Sequence, residues 1–184
     1  LAALTGMAYA DDSLRRIVDT IEQTGLKDRT TLLVVSDHGC KTARRSIRPN
    51  AVLRERGLLR ETAGKIECDA WVVPEGGSAL VYVTDPANRA RLVPELKRAF
   101  AGVEGIDRVF EPADYDALGY PSPERNDQGP DLVLAAKDGY SFSGAHTGEA
   151  VIDIPPGASP GSHGYLNYDP DMDAILVAWG RGVK

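Results

Sequence analysis

An amphipathic helical pattern followed by a short apolar run constrains the fold more than any other feature of this sequence. Four apolar residues recur at the helical spacing i, i+3, i+4 and i+7: Leu14, Ile17, Val18 and Ile21. Gly25 ends this pattern, and residues 31–36, Thr-Leu-Leu-Val-Val-Ser, then form a short run rich in Leu and Val that is typical of a strand buried in a parallel sheet. Helix, turn and buried strand make half of a doubly wound unit, so the sequence predicts an α/β fold.

The residues directly after this strand are Asp37, His38 and Gly39. Ligands of open α/β sheets bind beyond the carboxyl ends of the strands, which is where these residues are expected. Asp37 offers a carboxylate oxygen and His38 an imidazole nitrogen, a pair that suits zinc or a related transition metal. The same three residues also occur as an ordinary turn after a strand, and that alternative stays open.

A second candidate is His163, which lies between Gly161 and Tyr165 in a Gly-Ser-His-Gly-Tyr sequence. The flanking glycines allow the backbone and the imidazole to approach a site closely. The surrounding residues 143–164 are rich in Gly, Pro and Ser and have little periodicity, as functional loops often do. A lone loop histidine can equally be an ordinary surface residue.

Composition excludes several classes of partner. The net charge of −6 and the pI of about 5.1 argue against polymeric nucleic acid, which is bound through concentrated Lys and Arg. The apolar run 174–179 is far shorter than the ~20 residues of a membrane-spanning helix. Cys40 and Cys68 have no metal-binding spacing and are expected to be free thiols.

Residues 161–167 and 172–180, taken together with residues 32–39, resemble the alkaline phosphatase superfamily. The nearest branch is the type I phosphodiesterase/nucleotide pyrophosphatase family. The resemblance implies an alkaline phosphatase-like sandwich with a central, mostly parallel sheet that is incomplete at its N-terminus. Residues 1–57 and 143–184 would form the C-terminal part of this metal-binding core, and residues 58–142 a smaller α+β cap lobe.

The resemblance also implies two divalent metal ions, usually zinc, about 4 Å apart. Asp37 and His38 would bind one ion, and His163 would complete the shell of the other. The family's nucleophile, a Thr or Ser, and two further ligands, an Asp and a His four residues apart, would lie upstream. Ala3 stands where the His is expected, and the sequence contains no Asp-x-x-x-His. We therefore expect no catalytic nucleophile in this chain.

Two further residues are weaker candidates for substrate binding. Lys41 begins a stretch of eight residues with four cationic side chains, which could steer an anionic phosphoester or form a solvated basic face. His146 could approach the substrate or cap its own loop.

The resulting hypothesis is the C-terminal part of a metal-dependent phosphodiesterase or nucleotide pyrophosphatase that acts on small phosphoesters, nucleotides among them. The chain begins without a Met or a leader-like segment, so we expect a cut chain of unknown compartment. Because the nucleophile and two metal ligands are missing from it, we expect this chain alone to be inactive. The alternatives are a hydrolase of phosphomonoesters, phosphonates or sulfate esters, and a noncatalytic remnant. A homodimer would cover the apolar edge left by missing strands.

Overall fold

The computed structural model describes residues 2–121 and 126–183. Within these ranges the α-helices are α1 (Ala2–Gln23), α2 (Pro49–Glu55), α3 (Arg89–Ala101) and α4 (Tyr115–Leu118). The strands are β1 (Thr31–Val35), β2 (Lys41–Thr42), β3 (Arg45–Ile47), β4 (Leu59–Thr62), β5 (Lys65–Cys68), β6 (Ala70–Pro74), β7 (Ser78–Val83), β8 (Ile106–Phe110), β9 (Leu132–Ala136), β10 (Tyr140–Phe142), β11 (Val151–Asp153), β12 (Gly161–Ser162) and β13 (Leu176–Gly180). These elements confirm a mixed α/β chain.

The chain divides into two compact units. Unit 1 consists of Leu1–Asp37 and Ala174–Lys184, and unit 2 of His38–Asp173. The sequence places its boundaries differently, around a cap lobe at residues 58–142, and that division stays a prediction.

Unit 1 contains the helix and the strand that the apolar pattern predicts. The pattern at residues 14–21 lies inside α1, and the apolar run forms β1, which pairs antiparallel with β13. The expectation of a buried strand is wrong for this chain, because Leu33 and Val35 are 58% and 61% exposed. In the described part of the chain β1 pairs only with β13, and a two-stranded ribbon cannot bury both of its faces.

Unit 2 is built around the antiparallel sheet β6-β7-β9-β8, against which α3 packs. The apolar face of α3 contributes Leu92, Leu96 and Phe100, all fully buried. Each such side chain contributes about 1.5–3 kcal/mol when it leaves water. The apolar runs at residues 79–83 and 132–136 form β7 and β9 of this sheet.

A buried amide closes one edge of this sheet. Asn50 on α2 is fully buried, and its Nδ2 donates to the main-chain oxygen of Val72 at 2.8 Å. The Val72 nitrogen donates in return to Asn50 Oδ1 at 2.9 Å. The outer edge of β6 is therefore satisfied by a side chain, which prevents further strand addition at this point.

Two smaller sheets in unit 2 bring distant loops together. In the sheet β10-β3-β11, β3 and β10 form the parallel pair among the described strands. β2 pairs antiparallel with β12, with Lys41 opposite Ser162 and Thr42 opposite Gly161. This ladder places the residues that follow His38 beside those that precede His163. Within the described ranges, no helix has the length and apolar character needed to cross a bilayer.

Candidate metal site

Two histidines separated by more than a hundred residues stack on each other in unit 2. The ring centroids of His38 and His163 are 4.3 Å apart, and the ring planes differ by 15°. Nδ1 of His38 is 2.8 Å from the carbonyl oxygen of Gly39, an acceptor, so this nitrogen carries the proton. In that tautomer Nε2 carries the lone pair that a metal ion requires.

The backbone around His163 is held by a hairpin turn between β6 and β7. The nitrogen of Gly77 donates to the carbonyl oxygen of His163 at 2.7 Å. A Cβ atom on Gly76 would lie 2.2 Å from the same oxygen, and one on Gly164 would lie 1.8 Å from the oxygen of Glu75. The turn and the His163 loop are therefore in a contact that only glycine permits at both positions. The sequence shows the glycine doublet, yet nothing local indicates that it supports His163.

His38 is held in a similar way from the other side. The nitrogen of Gly39 donates to the oxygen of Met172 at 3.1 Å, and a Cβ atom on Gly39 would lie 1.9 Å from the oxygen of Asp171. Gly39 thus does more than turn the chain: it allows the backbone near Asp171 to approach. Ala43 adds a further link, since its nitrogen donates to the oxygen of Pro160 at 2.8 Å.

Lys41 lies in a cluster of carboxylates. Its Nζ atom is 2.9 Å from Oδ1 of Asp138, 2.9 Å from Oδ2 of Asp169 and 3.5 Å from Oδ2 of Asp171. Hydrogen bonds to Asp138 and Asp169 raise the pKa of Lys41 above its ordinary value, so the ammonium stays charged. Its side chain is 16% exposed and lies over the ring of Tyr165. The predicted contact of Lys41 with substrate stays a prediction, because these carboxylates already bind the ammonium.

His146 has a different set of contacts. Its Nε2 atom is 3.2 Å from Oε2 of Glu61 on β4, and it borders a pocket of about 750 Å³ together with Arg54 and Glu149. Hydrogen bonds from His146 and then Arg54 lower the pKa of Glu61. A role of His146 in substrate binding stays a prediction.

The geometry of the stacked pair limits how it could bind metal. Because the lone pair of an imidazole lies in the ring plane, two nearly parallel rings cannot both direct a nitrogen at an ion between their faces. One ligand for each of two ions, as the resemblance implies, is compatible with this geometry. Among the described residues, no group of three or more His, Cys, Asp and Glu side chains could hold a metal ion. Asp37 is the last residue of the first segment of unit 1, and His38 begins unit 2. The role of Asp37 as a metal ligand stays a prediction.

Similar proteins of known structure share the fold. Murine ectonucleotide pyrophosphatase/phosphodiesterase 5 is 18% identical with a TM-score of 0.64, and the match covers 93% of this chain and 39% of that chain. The human protein is 18% identical with a TM-score of 0.61, and the match covers 93% of this chain and 39% of that chain. Phosphonoacetate hydrolase from Sinorhizobium meliloti 1021 is 18% identical with a TM-score of 0.53, and the match covers 85% of this chain and 37% of that chain. The chain therefore spans about two fifths of the length of these proteins. They confirm the alkaline phosphatase-like α/β fold.

Comparison with curated protein sequences gave no match. The family model of type I phosphodiesterase/nucleotide pyrophosphatase matches residues 2–166, which include Asp37, His38 and His163. The resemblance noted in the sequence is thereby confirmed, and the chain belongs to the type I phosphodiesterase/nucleotide pyrophosphatase family.

Proposed function

We propose that this chain forms part of the active site of a metal-dependent phosphoester hydrolase, a phosphodiesterase or nucleotide pyrophosphatase. The observation that carries the proposal is the stacking of His38 on His163 inside the segment that the family model matches. His38 would bind one divalent ion together with Asp37, and His163 would bind the other. When bound, two such ions polarise the phosphoryl group and stabilise the attacking and leaving oxygens of an in-line displacement.

The residues of this chain would orient the ligands of that site. Gly77 fixes the His163 backbone through a hydrogen bond, and Gly39 fixes the His38 backbone through another. The carbonyl of Gly39 holds the Nδ1 proton of His38, which leaves Nε2 as the nitrogen that would bind the ion. Zinc suits this nitrogen and carboxylate donor set.

The remaining parts of the site would come from polypeptide beyond this chain. The match to the murine relative covers 39% of that protein, which leaves room for a Thr or Ser nucleophile and two further ligands. Supplying only part of each coordination shell, this chain alone would hydrolyse phosphoesters poorly. If the chain alone hydrolyses bis(p-nitrophenyl) phosphate, and Asp37→Ala abolishes that activity, the expectation that the nucleophile lies outside this chain is contradicted.

The substrate would be a small phosphoester, with a nucleotide as the first choice. One similar structure is an inactive form of the murine relative in complex with AMP, and the negative charge of this chain disfavours polymeric nucleic acid. A phosphonate is the second candidate, because phosphonoacetate hydrolase shares the fold and was solved with phosphonoacetate. Rates of the native protein on a nucleotide diester, a monoester, a phosphonate and a sulfate ester would separate these classes.

A homodimer stays a hypothesis of the same kind. It is supported by the apolar side chains that unit 1 exposes, among them Leu33, Val35, Leu176 and Val177. Sedimentation velocity should show a concentration-dependent shift in the wild type that weakens in Val35→Asp. A purely monomeric boundary at all concentrations would contradict it.

The metal part of the proposal is tested by NMR, which is simple because the chain has three histidines. During titration with Zn²⁺, we expect the ring resonances of His38 and His163 to shift, while those of His146 stay in place. His146→Gln serves as the control and should bind as the wild type does. Zinc binding that moves only His146, or none of the three, would contradict the assignment.

A further inference from the structure

The link between the two histidine-bearing segments depends on very little backbone. β2 and β12 share two residue pairs, Thr42 with Gly161 and Lys41 with Ser162. A ladder of this length is marginal by itself in water. His38 and His163 are both exposed, so burial does not hold the two rings together. The hydrogen bond from the Ala43 nitrogen to the Pro160 oxygen adds one backbone contact to this ladder, and side chains join the two segments further.

The carboxylate of Asp169 makes such side-chain contacts with both of its oxygens. Oδ2 accepts from Nζ of Lys41 at 2.9 Å, and Oδ1 accepts from the nitrogen of Asp171 at 3.1 Å. The second bond caps the 3-10 turn Pro170–Met172, whose last carbonyl accepts from the nitrogen of Gly39. Asp169 is thereby connected to the His38 segment at two points, on Gly39 and on Lys41.

The Lys41–Asp169 pair is partly shielded from water. The side chains of Lys41 and Asp169 are 16% and 17% exposed, whereas Asp138, the other close partner, is 83% exposed. Shielded from water, the Lys41–Asp169 pair is screened less than a surface pair. Tyr165 covers the ammonium on one side, with its ring centroid 5.3 Å from Nζ.

We propose that Lys41, bound by Asp169, is a positioning residue that holds His38 beside His163. The sequence suggests a different role for this lysine, contact with an anionic substrate. The inference rests on the proposed function only for its consequence in metal binding, since the stacking of the rings is measurable without metal. Asp169 binds the ammonium of Lys41 with one oxygen and caps the turn Pro170–Met172 with the other. The same turn accepts a hydrogen bond from the nitrogen of Gly39.

The test is NMR on the full chain without metal, followed by calorimetric titration with Zn²⁺. The wild type should show a cross-peak between the ring protons of His38 and His163. Lys41→Met should lose this cross-peak and bind Zn²⁺ about tenfold more weakly, the lower end of what loss of a supporting residue costs. Lys41→Arg should restore both, because arginine keeps the cation.

Lys97→Met is the matched control, since Lys97 pairs with Glu111 elsewhere in unit 2. It should keep the cross-peak and the affinity. If Lys41→Met does not fold, Asp169→Asn replaces it, because this change keeps the size of the side chain and removes the charge. The proposal is overturned if the wild type lacks the cross-peak, or if the variant that folds keeps both the cross-peak and the wild-type affinity. If the wild type shows the cross-peak but binds no Zn²⁺, and Lys41→Met loses the cross-peak, the positioning role of Lys41 is supported. Only the proposed function is then contradicted.

Discussion

Replacing Gly164 with alanine should disturb the His163 loop by an amount that the structure defines. Gly164 has a φ of +69°, in the left-handed region, and an added Cβ would lie 1.8 Å from the oxygen of Glu75. Ordinary contacts of this kind begin at 3.4 Å, so the two backbones would have to separate by roughly 1.6 Å. His163 directly precedes this glycine and would move with it.

The free energy of unfolding should fall for two reasons in Gly164→Ala. The left-handed conformation costs an alanine about 1–2 kcal/mol, and an overpacked contact costs about 1–3 kcal/mol more. Gly64 provides a matched control, because its φ is +78° and an added Cβ would have nothing within 4 Å. Gly64→Ala should therefore show the conformational cost alone.

Urea unfolding of both variants measures the difference, and the ring-to-ring cross-peak of His38 and His163 measures its effect on the site. We expect Gly164→Ala to be less stable than Gly64→Ala by about 1–3 kcal/mol and to lose the cross-peak. Equal losses of stability in the two variants, with the cross-peak retained in both, would refute the close packing of the hairpin turn on the His163 loop.

Three further predictions concern unit 2. Asn50→Ala leaves the buried nitrogen and oxygen of Val72 without partners and should cost about 2–4 kcal/mol in urea unfolding; a loss below about 1 kcal/mol would contradict this role. Tyr115→Phe removes a hydroxyl that donates to a main-chain oxygen at 2.9 Å, and should cost about 1 kcal/mol, whereas an unchanged midpoint would argue against that bond. His146→Ala should raise the pKa of Glu61 toward its ordinary value in a carboxyl NMR titration, because the hydrogen bond from His146 is the main cause of its depression. The stabilisation from this pair is present at neutral pH and is lost as the pH falls through the lowered pKa of Glu61; an unchanged titration would contradict the contact.

Elements with a strong local pattern were predictable from the sequence. The helical spacing of residues 14–21 and the apolar run after Gly25 both correspond to elements of the structure, α1 and β1. Local periodicity records which face of an element is apolar, so it is readable without knowing the neighbours. Burial is not local in this sense, and for that reason the expected burial of β1 was wrong.

The arrangement of the candidate site was only partly predictable. The motifs containing His38 and His163 indicated ligands, and the structure brings these two rings together. The contacts that hold the two rings in place involve residues far apart in the sequence. The nitrogen of Gly77 donates to the oxygen of His163, and Asp169 binds the ammonium of Lys41. An ion pair between residues more than a hundred positions apart leaves no periodic pattern in the sequence. The sequence therefore showed that Lys41 is a cation but did not indicate Asp169 as its partner.

The central claim is that His38 and His163 are metal ligands of a phosphoester hydrolase. It is tested most directly by the hydrolysis of bis(p-nitrophenyl) phosphate by the native protein with Zn²⁺ present. The account predicts that His163→Ala and His38→Ala each abolish most of the turnover, that a chelator does the same to the wild type, and that the control Lys97→Met leaves the rate near that of the wild type. Wild-type turnover in both His38→Ala and His163→Ala would contradict the account.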